Sequence, residues 1–456
     1  MPRTGDGRAA VCFPVLEDDM PRCWKTACLA TVALALASAA FAAPPAGDLD
    51  ARIDREAEKV APRMIELRHR IHQNPELSNR ETQTAALVAE QLRSMGFEVR
   101  TGVAKTGVIA LLKGGKPGPL IAVRADMDAL PVVEQTDFPF KSTKKDTFLG
   151  QEVGVAHACG HDIHTTVQLG VAAVLSSLKA DIPGSILFIF QPAEEGPPPG
   201  EKGGADLMLE EGLFKEYHPK AAFALHSFPD LTVGQVGFNS GPSMAAVDQF
   251  RIKIHGKQAH GAYPNLGIDP IVTGAEVVVA LQTIRSRTLS PLEPSVVTVG
   301  IFRGGERFNI IPGEVNLEGT VRTYSQEARD TVQRRMREIL DGVTHANGAT
   351  YELEYQKNAP ATVNNPALTQ EVQPLMERIL GAGNVKLVEP TMGGEDFGYF
   401  AEQVPGFYYR LGVLKPGTTS GGLHTPTFRG DDSAVPVGIR AMSRLLVDYL
   451  ASQKSH

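Results

Sequence analysis

Leu120-Ile-Ala-Val-Arg-Ala-Asp-Met-Asp128 is the stretch that decides the fold. Its four leading apolar residues read as a strand buried on both faces, the pattern of a helix-covered parallel sheet. The strand runs directly into Asp126 and Asp128. Open α/β sheets gather ligands at that C-terminal end. The same arrangement recurs twice downstream. Ser185-Ile-Leu-Phe-Ile-Phe190 runs into Gln191-Pro-Ala-Glu-Glu-Gly196, and Ala221 to Leu225 ends at His226. Adjacent glutamates are a weak signal alone, since Glu210-Glu211 reads as a solvated helix end. Glu194 and Glu195 differ by following a buried strand in a turn rich in Pro and Gly. Three strands delivering ligand-type residues at one end point to a site rather than to scattered polar positions.

Between the first two strands lies His157-Ala-Cys-Gly-His-Asp162. Cys159 and His161 are two apart, so in extended backbone they point to one side. Gly160 permits a tight turn. Ile163 to Leu178 reads as a helix, which places Asp162 near its N-terminus, where a carboxylate is favoured. An isolated C-x-H is most simply a buried cysteine beside a surface histidine. The three strand ends reverse that preference here.

Length and composition set the frame. The chain has 456 residues, enough for two domains. Hydrophobic residues are 42%, charged residues 21% and the net charge is -7, which suits a soluble globular enzyme. No basic run interleaved with aromatics suggests a nucleic-acid partner. Residues 1–42 read as a leader. Met20 to Lys25 is a short basic region, Thr26 to Ala40 an apolar core, and Ala40-Phe41-Ala42 a cleavage site. The apolar run is too short to span a bilayer comfortably, so the mature form is expected off the membrane. The prediction is export to the periplasm or medium. Cys12, Cys23 and Cys28 fall in the leader, leaving Cys159 alone in the mature chain. A lone thiol in an oxidising compartment is best explained by metal ligation.

The first domain is expected over 49–240 and again over 358–456. Helices are predicted from Leu49 to Gln73 and from a Ser78-x-x-Glu81 capping box to Met95. Strands are predicted at Glu98–Val103, Val108–Lys113 and Leu120–Ala125, with 114–119 as the turn before the last. Residues 241–357 change texture. A strand at Gln249–His255, a helix at Asp269–Ser286, strands at Ser295–Phe302 and Val315–Tyr324, a helix capped by Ser325 and a strand at Tyr351–Gln356 give β-α-β-β-α-β order. That order is a ferredoxin-like sandwich inserted in the first domain. The fold class is therefore α/β, a mixed-sheet hydrolase domain carrying an α+β insert.

Seven motifs resemble the aminoacylase and carboxypeptidase-G superfamily of co-catalytic metallohydrolases. They are Arg124–Pro131, His157–Asp162, Gln191–Gly196, Ala224-Leu-His226, Ala259-His260-Gly, Gly393-Gly-Glu-Asp-Phe397 and Leu423-His424-Thr-Pro. They are most similar to the branch of hippurate hydrolases and indole-acetyl-amino-acid hydrolases. The resemblance implies Cys159, His161, Glu195, His226 and His424 as ligands of two divalent ions, with the cysteine standing where the wider superfamily bridges its metals with aspartate. A mixed S, N, O set is compatible with Zn, Mn, Co or Ni. It implies Glu194 as general base and His260 as an oxyanion donor. Asp126, Asp128 and Asp162 are expected to orient imidazoles from behind, with His157 and His164 as further candidates for that role. Asn309 and Arg322 match segments used around the substrate. The implied activity is hydrolysis of N-acyl amino acids, and the implied assembly a homodimer through the insert, used here as a lid. The alternatives are an exported dipeptidase or carboxypeptidase, and a non-catalytic binding module; an intact Glu194 argues against the last.

Overall fold

The computed structural model describes residues 48–453. The leader expected over 1–42, with Trp24 and the cysteines other than Cys159, lies outside the described residues. Among the described residues, no helix is long and apolar enough to cross a membrane.

Helix α1 (Asp48–Gln73) buries Ile53, Ala57, Met64, Leu67 and Ile71, an apolar stripe at helical spacing. Helix α2 (Thr82–Ser94) follows. Its start differs from the expected capping box. The Ser78 hydroxyl donates to Asp128 instead, at 2.7 Å. The free N–H groups of Gln83 and Thr84 go to the Glu76 carboxylate at 3.0 and 2.8 Å. A carboxylate is the stronger acceptor and suits the positive end of the helix.

Strands β1 (Glu98–Val103), β2 (Gly107–Lys113), β3 (Lys116–Asp126), β4 (Pro183–Gln191) and β5 (Ala222–Thr232) are five strands of an eight-stranded sheet. Their order is β1-β2-β4-β3-β5, continued by Gly406–Leu414, Val236–Phe238 and Val385–Leu387. The sheet is mixed: β4, β3, β5 and Gly406–Leu414 run parallel, while β1, β2 and β4 alternate. Two boundaries differ most from the sequence reading. β3 begins at Lys116, because that residue already pairs with Pro183 of β4. β5 continues past His226 to Thr232, carried by its partner Gly406–Leu414. Its pairing with β3, by contrast, covers only Ala122–Ala222, Val123–Phe223 and Arg124–Ala224. Beyond Ala224 the two strands part. Helix α3 (His161–Ser177) packs against both strands and is buried along nearly its whole length.

A second, four-stranded antiparallel sheet follows, in the order Ser295–Gly304, Glu314–Thr323, Ala246–His255, Thr350–Lys357. With helices Pro270–Thr283 and Gln326–Ala346 it has the β-α-β-β-α-β order and strand arrangement of a ferredoxin-like sandwich. Ser325 caps its second helix by accepting from the Ala328 N–H. Phe250, Ile252, Leu281, Leu317, Met336 and Leu340 belong to a cluster of its own.

Candidate metal centre

Asp126 and Gln191 are register partners at the ends of β3 and β4. Arg124, two residues back and fully buried, organises the floor there. Its guanidinium reaches Asp126 at 2.7 Å, Gln191 at 2.8 Å, Glu395 at 2.8 Å and Asp396 at 2.9 Å. A buried cation with this many acceptors is paired in full, which is the condition for tolerating it. Gln191 and the Ala205 N–H also donate to Asp396. Burial, opposed by Arg124 and aided by Glu395, pushes Asp396 up to about 7.

After β4 the backbone leaves strand geometry. Ala193 adopts φ +52° and Gly196 φ +98°. A left-handed alanine is strained by about 1–3 kcal/mol, and its N–H is held by the buried Glu81 carboxylate at 2.8 Å. In a regular strand, neighbouring side chains diverge. This turn brings both to one place: Glu194 Oε2 and Glu195 Oε1 are each 3.8 Å from His161 Nε2. The Glu195 N–H is fixed by Asp128 at 3.0 Å. Burial and the charges of Glu395 and Glu195 raise Glu194 well above the usual carboxylate range.

Cys159 and His161 meet the site differently from the extended geometry expected. Gly160 between them lies at φ +89°, and His161 opens the helix. A side chain at Gly160 would meet Ser227 Cβ at 2.8 Å. The Cys159 sulfur lies 3.3 Å from both His226 Nε2 and His424 Nε2. His226 Nδ1 faces the Ser227 carbonyl at 2.9 Å. A carbonyl only accepts, so Nδ1 carries the proton and Nε2 turns its lone pair to the thiol. Burial holds the His226 imidazole well below its ordinary value, hence neutral. His424 stands at φ +63°, pinned by its N–H to Ala158 O at 2.8 Å, with Nε2 3.2 Å from Glu195.

The donors fit a cation. His161 Nδ1 is 3.2 Å from Asp128, while its buried Nε2 has no hydrogen-bond partner. Burial disfavours a charged His161, yet Asp126 and Asp128 outweigh it and push the imidazole up to about 10. The field that favours a proton at Nε2 equally favours a metal ion there. The Cys159 thiol is pushed up by burial and then by Glu195 and Glu194, so a thiolate at this position needs a cation beside it. Two groupings share the cysteine, Cys159–His161–His226 and Cys159–Glu195–His424. A sulfur common to two triads suits two neighbouring divalent ions.

The remaining expected residues divide. Asp128 lies behind His161, 3.2 Å from its Nδ1. Asp126 backs His164 at 2.6 Å and stands 3.8 Å from His161. His164 Nε2 accepts from the Ser227 N–H at 2.7 Å, so both its nitrogens are taken and it is not a ligand. Asp162 was expected behind a ligand imidazole; it pairs instead with Arg68 at 2.9 Å and His72 at 3.0 Å. The helix start points it back toward α1, away from the thiol. His157 is buried, with neither ring nitrogen hydrogen-bonded, and burial pushes it down to about 3. His260, Asn309 and Arg322 make no hydrogen bond or ion pair with this cluster among the described residues. His260 is exposed on a short ribbon pairing with Ile310, and its Nδ1 accepts from the Ala262 N–H at 3.0 Å. Asn309 Oδ1 has no hydrogen-bond partner. Arg322 donates to Thr320 and to the Val321 carbonyl.

The sequence reading assigned no role to Arg124, Gln191, Glu395, Asp396 or the His72–Glu134 pair. Arginine inside an otherwise apolar strand was the available signal, since a charge there demands partners.

Thiol, imidazole and carboxylate donors gathered at the end of a mixed α/β sheet are the marks of a metallohydrolase. The chain belongs to peptidase family M20/M25/M40, whose model matches residues 122–448, and it is a hydrolase of that family. It is 38% identical over 376 residues to the N-acetyl-L-cysteine deacetylase of Bacillus subtilis, covering 82% of this chain and 84% of that one. It is 37% identical over 408 residues to thermostable carboxypeptidase 2 of Saccharolobus solfataricus, covering 88% and 99%. Among solved structures, the YXEP protein of Bacillus subtilis, described as a dinuclear metal binding peptidase from the M20 family, superposes with a TM-score of 0.72 at 34% identity, covering 87% of this chain and 99% of that one.

Proposed function

We propose that the chain cleaves the amide bond of N-acyl amino acids, with two divalent ions (Zn, Mn, Co or Ni) held by Cys159, His161, Glu195, His226 and His424. The observation that carries this reading is the Cys159 sulfur, 3.3 Å from both His226 Nε2 and His424 Nε2. When bound, the ions supply Lewis-acid polarisation of the scissile carbonyl and a water far more acidic than bulk. Glu194 accepts a proton from the attacking water at its carboxylate and later returns it to the leaving nitrogen. The C–N bond breaks, leaving a free carboxylate and an amine. Burial and the Glu395 charge raise the Glu194 carboxyl above the usual carboxylate range, the kind of environment that fits a carboxyl for acid–base work. Arg124 holds Glu395 and Asp396 in place beside it.

His260 completes the reading. Its Nδ1 accepts from Ala262, so in the neutral ring Nε2 carries the proton and can donate to a developing oxyanion. The exposed position of His260 fits delivery to a second copy of the chain. The Ser295–Gly304 strand is an open sheet edge with Phe302 exposed, and the neighbouring helix Pro270–Thr283 exposes Ile271, Val272 and Val279. A homodimer through these elements would cover them. Arg322, with no carboxylate partner among the described residues, and Asn309 then serve the free carboxylate of the substrate.

A second reading, a dipeptidase or carboxypeptidase, is favoured by the likeness to the Saccharolobus enzyme. Metal analysis beside parallel assays tests both. Two ions per chain with N-acetyl or N-benzoyl amino acids turned over faster than dipeptides supports the first reading. The reverse preference supports the second, and purified protein that binds no divalent ion contradicts both. Export remains part of the proposal and rests on residues 20–42; mature protein beginning before Ala42 would contradict it.

A further inference from the structure

Beyond Ala224, β5 has no partner in β3. The Ser227 N–H is therefore released from the ladder and must find another acceptor. It finds His164 Nε2 at 2.7 Å. His164 Nδ1 in turn faces Asp126 Oδ1 at 2.6 Å, and the other Asp126 oxygen is held by Arg124 at 2.7 Å. The tautomer follows from the geometry. Nε2 accepts, so Nδ1 carries the proton and donates to the carboxylate. The opposite side of Ser227 is equally fixed, since its carbonyl accepts from His226 Nδ1. The Ser227 hydroxyl takes no part and has no hydrogen-bond partner. The Ser227 backbone thus lies in a relay running Arg124, Asp126, His164, Ser227, His226.

We propose that His164 is a positioning residue: by pinning the Ser227 backbone it sets the direction in which His226 presents Nε2 toward Cys159. The inference rests on the metal-ligand reading above. Three observations converge on it. The rings of His164 and His226 pack at 4.6 Å, which leaves the His226 ring little freedom to swing. Gly160, between Cys159 and His161, packs against Ser227, so that loop and β5 share one contact point. His164 is fully buried, and both its nitrogens are committed to this relay. A buried imidazole spent wholly on one backbone N–H and one carboxylate sets a geometry rather than filling space. Groups that orient metal ligands from behind typically alter metal affinity about 10–100-fold when removed.

The two nitrogens can be tested apart. In His164→Gln, the amide oxygen can replace Nε2 and still accept from Ser227, at the expense of the Asp126 bond. In His164→Asn the shorter amide can still reach Asp126 but not Ser227. His164→Leu removes both. The measurement is cobalt(II) titration of chelator-stripped protein, read by the thiolate-to-cobalt charge-transfer band and by chelator competition. The thermal midpoint of stripped protein is recorded beside it. The expected result is two ions with near wild-type affinity in His164→Gln and in the control Ser227→Ala. His164→Asn and His164→Leu should show affinity lower by roughly 10–100-fold and a weakened thiolate band. Wild-type affinity in His164→Asn overturns the proposal, and so does equal loss in the Asn and Gln variants. Should His164→Leu fail to fold, the Asn and Gln pair still decides. Wild-type protein that takes up no cobalt overturns the ligand reading itself, and this inference with it; a normal wild type beside unaffected variants overturns this inference alone.

Discussion

The floor beneath Glu194 and the ribbon around His260 both carry polar residues, in opposite states. On the floor, Arg124 is fully buried and spends its guanidinium on Asp126, Gln191, Glu395 and Asp396. In the second region, Arg322 on the four-stranded sheet has only Thr320 and a backbone carbonyl, while by the ribbon Asn309 Oδ1 has no hydrogen-bond partner and His260 is exposed. The floor is complete within one chain and can hold its geometry before any substrate arrives. The second region keeps Arg322 without a carboxylate and leaves the Asn309 side-chain carbonyl without a donor, so its polar groups are free for a ligand or a second chain. The first region builds the site; the second is where the proposed reading puts the contacts to substrate.

The widest predicted contrast is between the two arginines. Arg124→Met leaves three carboxylates facing one another without a cation and should lower unfolding stability by about 3–5 kcal/mol. Arg322→Met removes a side chain with no ionic partner and should stay within about 0.5 kcal/mol. Denaturant midpoints of the two variants check this. Equal losses would erase the distinction drawn between floor and ribbon.

The sequence disclosed the floor's outline and hid its wiring. Apolar runs located β3, β4 and β5, because burial on both faces leaves a mark in every residue of a short strand. Cys159 was legible through cysteine arithmetic, and Glu194-Glu195 through its place after a buried strand. The Arg124–Glu395 pair joins residues 271 apart, and no local pattern reports such a contact. Local rules also failed where a stronger partner competed. Ser78-x-x-Glu81 has the form of a capping box, but Glu76 takes the helix N–H groups and Asp128 takes the serine. The assumption of extended backbone at Cys159–His161 failed because Gly160 turns through φ +89°. Asp162 followed the rule for a helix start, yet its partners lie on α1, out of reach of sequence spacing.

His260→Ala sharpens the other side of the comparison. Metal content and thermal midpoint should stay at wild-type values, while kcat falls on the order of a hundredfold, the usual effect of losing one oxyanion donor. Unchanged turnover would make His260 a surface residue and remove the catalytic role given to the ribbon.

A smaller loss is expected at the start of α2. Glu76→Ala strips the acceptor from the first turn of α2 and should cost about 1 kcal/mol, as lost caps commonly do. A chemical-denaturation midpoint equal to wild type would show that solvent caps this helix as well as Glu76 does.

The central claim is that two adjacent glutamates, turned into one site by the left-handed Ala193, do different work. Metal stoichiometry measured beside kcat in Glu194→Gln and Glu195→Gln tests it most directly. Glu195→Gln should lose bound metal and activity together. Glu194→Gln should keep both ions and still bind an acyl amino acid, while kcat falls by roughly 10²–10⁴-fold, the range for a lost general base. Near-normal turnover in Glu194→Gln, or metal loss there with full occupancy in Glu195→Gln, would contradict the account.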